Sequence, residues 1–269
     1  MSLGVHVVAH THWDREWYLT HEQFRLRLVD LCDRVLDLLE ADPAFTFHLD
    51  GQTVVLEDYL EIRPQQEERL RRHVASGRLL VGPWYVMPDQ FLVSGEALVR
   101  NLARGHRVAA RFGSAMPAGY IPDPFGHVAQ MPQILRGFGL DSAILWRGFA
   151  GPRAEYAWEA PDGSRVLLLH LPEDGYCNAL WLPLVPPEEM PGRAAEVLAR
   201  EAGRTAVGQV LLMAGVDHVE PHPRLADLLR WLSRQPGVSA GLSTLPAYVS
   251  AVHAAAGNGT ELEIVRGEL

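Results

Sequence analysis

Seven short apolar runs alternate with amphipathic stretches along this chain, and that alternation limits its fold more than any other feature. The runs are Val5–Ala9, Phe45–Leu49, Leu79–Val81, Ala118–Ile121, Ala143–Trp146, Val166–Leu169 and Val210–Met213. They are brief and rich in Val, Ile and Leu, as strands covered on both faces are. Between them, residues 22–40 place Phe24, Leu28, Leu31, Val35 and Leu38 or Leu39 at helical spacing. Pro64 opens a second helix over 65–75, since proline suits a first helical turn. Further helices are predicted over 96–111 (opened by Ser94-Gly95), 128–138, 188–202, 225–233 and 245–253. Strands alternating with helices make parallel βαβ units. Seven or eight such units point to an α/β fold with a closed or nearly closed barrel. A doubly wound open sheet is the alternative that pattern leaves open. Trp158–Val166, with Pro161-Asp162-Gly163 between apolar flanks, reads as a hairpin inserted in this plan.

No linker-like stretch divides the 269 residues, so a single domain over 1–269 is expected. The loop over 254–260 is followed by another apolar run, Leu262–Val265, close to the last residue. That ending predicts a truncated N-terminal part of a longer multidomain enzyme. The net charge is −9 without a basic run, which disfavours nucleic acid and anionic membranes as partners. No apolar stretch reaches the roughly 18 residues that span a bilayer. Cys32 and Cys177 are too few for a disulfide framework. No signal peptide precedes the first strand-like run. Together these features predict a cytoplasmic protein.

In parallel α/β barrels the chemistry gathers at the carboxyl ends of the strands. There this chain carries His10-Thr11-His12-Trp13-Asp14, then Asp50-Gly51-Gln52, then Trp84-Tyr85 with Asp89, then Asp123-Pro124-Phe125-Gly126-His127. Arg147 follows the fifth run, Tyr176 and Asn178 the sixth, and Asp217-His218 the last. The opposite ends hold Gly4, Gly77-Arg78, Ser164-Arg165 and Gly208-Gln209, which are chemically plain. His12 and Asp14, two apart on an extended segment, point to the same side and can converge on one ion. An imidazole with carboxylates suits zinc, with manganese or cobalt less specific. Asp123, biased towards extended backbone by Pro124, is the further ligand candidate; its bland alternative is an ordinary Asp-Pro turn. His10, His127 and His218 are either ligands or hydrogen-bonded structural residues. Trp17, Trp84 and Tyr85 are either sugar-stacking platforms or loop packing. Arg147 is either a donor to substrate oxygens or a structural ion pair.

Several of these blocks resemble a known family. His10-Thr11-His12-Trp13-Asp14-Arg15-Glu16-Trp17 resembles the opening motif of family 38 glycoside hydrolases, the retaining α-mannosidases. Tyr120–His127, followed by Met131-Pro132, is similar to their nucleophile motif. Gly82–Asp89 with Ser94-Gly95-Glu96 resembles a third block, and Met213–His218 a fourth, in family order. The resemblance implies a seven-stranded parallel (β/α) barrel with flanking helices and a Zn2+ ion bound by His12, Asp14 and Asp123. It implies Asp123 as nucleophile and Asp217 as general acid/base. Trp17 and Arg147 would contact the mannose, and Trp84, Asp89 and Tyr176 complete the predicted substrate contacts. The substrate would be a mannose-containing oligosaccharide or glycoside. The family's fourth ligand, a His, comes from beyond the barrel, so His218 or a water is the candidate for that position here. Downstream domains would complete the pocket, and weak metal binding and poor activity are expected of this chain alone. Two other functions compete: a metal-dependent carbohydrate deacetylase, which would need two His ligands at helical spacing, and an inactive sugar- or metal-binding fragment.

Overall fold

The structure is a computed structural model that describes residues 2–257 and 259–269. Each of the seven apolar runs contributes a strand: β1 (Leu3–Val8), β2 (Phe47–His48), β3 (Leu79–Leu80), β4 (Gly119–Ile121), β5 (Ser142–Leu145), β7 (Arg165–His170) and β8 (Gln209–Met213). β6 (Glu155–Glu159) is the first arm of the expected hairpin. It pairs antiparallel with β7, and Gly163 takes the left-handed φ of 85° that the turn requires. β9 (Val238–Leu242) and β10 (Ile264–Arg266) complete the set.

The helices are α1 (His21–Ala41), α2 (Val54–Ile62), α3 (Glu67–Ala75), α4 (Gly95–Ala109), α5 (Met131–Gly137), α6 (Met190–Arg204), α7 (Leu225–Leu232) and α8 (Leu245–Ala256). The helical period of α1 buries Phe24, Leu28, Leu31, Val35 and Leu39, each worth roughly 1.5–3 kcal/mol. Its start is closed by Gln23, whose side chain accepts from Thr20 N–H at 3.0 Å. Ser94 caps α4 by accepting from Ala97 N–H at 3.2 Å. Among the described residues, no helix is long and apolar enough to cross a membrane.

The strands form three sheets, ordered β8-β1-β9, β2-β3 and β10-β6-β7-β5-β4. All pairings are parallel except β6 with β7. The expectation of seven parallel strands in one barrel therefore meets a smaller and mixed set of ladders. The reason is strand length. β2 and β3 have two residues each, too few to carry a ladder on both edges. Single bonds link the sheets instead. His48 N–H donates to Ala9 O at 2.9 Å, and Met116 N–H to Val81 O at 2.9 Å. Asn178 bonds the backbone of β8 at Leu211 and Met213.

α2 and β9 lie outside the sequence pattern. α2 opens on two β-branched valines, poor helix formers, yet Val54, Val55, Leu56 and Tyr59 are all buried in the core. β9 has no apolar run; its ladder to β1 defines it.

Candidate active site

The segments that follow β1, β2, β3 and β4 meet at one cleft of about 350 Å³. His12, Asp14, Gln52, Asp89, Asp123 and Phe125 line it. His12 is held at its place by a bridge to Asp217 beside it. Its Nε2 stands 3.7 Å from Asp14 Oδ1 and 4.0 Å from Asp123 Oδ2. On the other side of the ring, Nδ1–H faces Asp50 Oδ1 at 3.3 Å. Burial alone would push the imidazole down, but Asp50 and Asp14 outweigh it and hold His12 well above its ordinary pKa. Asp50 is also fully buried, and the positive His12 with hydrogen bonds from His12, Gln52 and Gly51 keeps its carboxyl below the usual range.

Among the described residues, no three His, Cys, Asp or Glu side chains are drawn around a common point as they would be around an ion. The donor set of His12, Asp14 and Asp123 nevertheless fits one. Ligands about 2.0–2.2 Å from zinc in a tetrahedron stand roughly 3.4 Å apart, a few tenths of an ångström closer than these atoms. His12 Nε2 has only carboxylate oxygens before it. Its other nitrogen is bonded to a carboxylate, the arrangement common behind metal-bound imidazoles.

The second cluster centres on Tyr176, whose ring lies 5.4 Å from that of His12. Its hydroxyl donates to Asp217 Oδ1 at 2.9 Å and stands 3.4 Å from Asp123 Oδ1. Both carboxyl groups therefore reach one hydroxyl, which places Asp123 and Asp217 as neighbours on either side of Tyr176. Burial raises the Asp217 pKa, while His12 and the Tyr176 hydroxyl oppose the rise. Burial and the two carboxylates push the Tyr176 phenol up, so it stays a donor.

Arg147 aims at Asp123 rather than at the open cleft. Its Nε and Nη2 reach Asp123 Oδ1 at 3.1 and 3.0 Å. The guanidinium lies over Trp146 at 4.0 Å and Phe125 at 4.6 Å, which fixes its plane. Asp89 is exposed on the rim, accepting from Phe125 N–H at 3.4 Å. Trp17 is 65% exposed beside the cleft, against Tyr18 and His218.

Trp84 requires a correction. It is 0% exposed in the core with Leu98, Leu102 and Met131, so it offers no face to a sugar. Backbone bonds to Gly51 and Thr53 set the chain at Trp84, and the ring packs under α4. The other candidate histidines make hydrogen bonds within the fold. His10 Nε2–H donates to Tyr176 O at 2.7 Å, and burial lowers its pKa to about 4. His127 bonds Gln90 and Arg147 O. His218, the candidate for a fourth ligand, lies with its Nε2 3.0 Å from Asp14 N and 3.2 Å from Asp14 O, and its ring packs 4.2 Å from Phe24.

Sequence reasoning assigned no role to Asp50, Gln52 or Phe125. The signal available was position: the first two follow a strand directly, and Phe125 lies within the Asp-Pro-Phe-Gly block.

The chain is similar to several known proteins. The family model described as glycosyl hydrolases family 38 N-terminal domain matches residues 2–267. The chain is 40% identical over 235 residues to a putative mannosylglycerate hydrolase of Halalkalibacterium halodurans, covering 81% of this chain and 26% of that protein. It is 29% identical to the human alpha-mannosidase 2C1 over 87% of this chain and 22% of that one. Among solved structures, an alpha-mannosidase from Enterococcus faecalis V583 superimposes with a TM-score of 0.90 at 36% identity, covering 99% of this chain and 31% of the other. The chain thus spans about a quarter of the length of the curated relatives it matches.

Proposed function

Because the chain belongs to glycosyl hydrolase family 38, we propose that its cleft carries out the retaining hydrolysis of terminal α-linked mannose. The observation that supports this is the pair of carboxyl groups, Asp123 and Asp217, brought to either side of the Tyr176 hydroxyl, since double displacement needs two neighbouring carboxyl groups. Asp123 would attack the anomeric carbon and form a glycosyl ester as the glycosidic bond breaks. Asp217 would protonate the departing oxygen, then take a proton from the water that cleaves the ester. The raised pKa of Asp217 suits the first role. Arg147 would hold the Asp123 carboxylate in line. His12, Asp14 and Asp123 would hold zinc, which when bound supplies Lewis-acid contacts to sugar hydroxyls. Trp17 and Asp89 would meet the substrate at the rim, and the three sheets are read as arcs of one interrupted barrel.

The Halalkalibacterium relative is named for mannosylglycerate, whose aglycone bears a carboxylate. Here Asp14, Glu16 and Asp89 line the cleft. Arg15, the arginine among the lining residues, is engaged by Asp58 at 2.6 and 2.8 Å. The test is hydrolysis of an aryl α-mannoside with zinc supplied, monitored by proton NMR. α-Mannose should appear first. An Asp123→Ala variant that matches the parent rate would sink the assignment.

A further inference from the structure

Asp50 is a fully buried carboxylate at a turn between strand β2 and helix α2, and its backbone φ is 138°. Residues other than glycine adopt that region only when their surroundings force it. Four donors converge on its side chain. Trp13 N–H and Gln52 Nε2 reach Oδ2 at 2.9 and 2.8 Å. Gly51 N–H and His12 Nδ1 reach Oδ1 at 2.6 and 3.3 Å. No Lys or Arg among the described residues pairs with it. The three backbone and amide donors lock the carboxylate, and the locked carboxylate then faces a single ring nitrogen.

The geometry points to Asp50 as the positioning residue of this site; this rests on the metal-dependent mannosidase assignment above. It keeps a proton on His12 Nδ1 and fixes Nε2 as the nitrogen that faces Asp14 and Asp123, so Nε2 is the one that gives up its proton when a metal binds. Trp13 is tied to the same carboxylate, so the β1 end that carries His12 and Asp14 is registered against the β2 end by one side chain. Strain at Asp50 is the cost of directing its carboxylate back under His12.

The test is cobalt binding to the parent and to Asp50→Asn. Asparagine tolerates positive φ and has the same shape, but its amide cannot accept on both sides. Cobalt affinity of the variant should fall about 10–100-fold at a temperature where both apo-proteins are folded by circular dichroism. The cobalt-loaded parent should also show a hyperfine-shifted imidazole N–H proton that exchanges slowly into D2O, shielded by Asp50. In Asp50→Asn it should shift or exchange faster. Equal affinity and an unchanged resonance overturn the role of Asp50 while leaving the metal assignment intact. A parent that takes up no cobalt overturns both. Should the variant not fold, a parent spectrum lacking the slow N–H proton overturns the inference by itself.

Discussion

Tyr176→Phe removes one oxygen atom and asks whether the hydroxyl sets the working pH of the site. The ring keeps its packing against Trp146, 5.6 Å away, and His12. What is lost is a hydrogen bond of 2.9 Å to Asp217 Oδ1. A bond to a charged group is worth about 1.5–3 kcal/mol, and partial exposure of the pair argues for the lower end. About 1.5 kcal/mol corresponds to roughly one pH unit. The sign follows from which form accepts. The hydroxyl stabilises ionised Asp217, so losing it raises a pKa that burial has already raised. Asp217 must be protonated to act as acid, and the alkaline limb of kcat/KM reports that proton in the free enzyme. The limb should therefore move up by about one unit in Tyr176→Phe, measured with an aryl α-mannoside under zinc. Tm should fall by no more than about 6 °C for a chain of this size. A limb that stays or moves down would refute the coupling between Tyr176 and Asp217.

Arg147→Lys should lower kcat/KM about tenfold, because an ammonium cannot make the forked contact to Asp123 between two aromatic faces. Its melting temperature should barely change, since partly exposed pairs contribute at most about 1 kcal/mol. Trp17→Ala should raise KM at constant Tm, whereas Trp84→Ala should destabilise by about 3–5 kcal/mol, as expected of a core tryptophan; thermal melts with kinetics separate the two. Gly105→Ala should destabilise by about 2 kcal/mol despite a better helix former, because the new Cβ meets the backbone of Pro83, Trp84 and Tyr85. A melt that rises instead would show that α4 can move away from that loop.

The elements most legible in the sequence are those whose own residues make the periodic signal. α1 shows its buried stripe in Phe24, Leu28, Leu31 and Val35, and each of the seven apolar runs contains or overlaps a strand. The strand-end motifs put His12, Asp14, Asp123 and Asp217 on one edge, because parallel strands all point their carboxyl ends one way. β9 left no such trace, since alternating half-exposed small residues become a strand only by pairing with β1. Trp84 read as a platform because sequence position cannot tell a ring turned into the core from one turned to the cleft.

What the sequence alone determined is therefore which residues could do chemistry and at which end of the strands they lie. Their partners were decided by the tertiary structure. Asp50 lies 38 positions from His12, Tyr176 lies 41 from Asp217, and Arg147 lies 24 from Asp123. These contacts run between different strand ends, whose approach depends on core packing and sheet pairing rather than on local propensity. Local pattern sets the direction in which a strand points, and only the packed whole decides which side chains meet there.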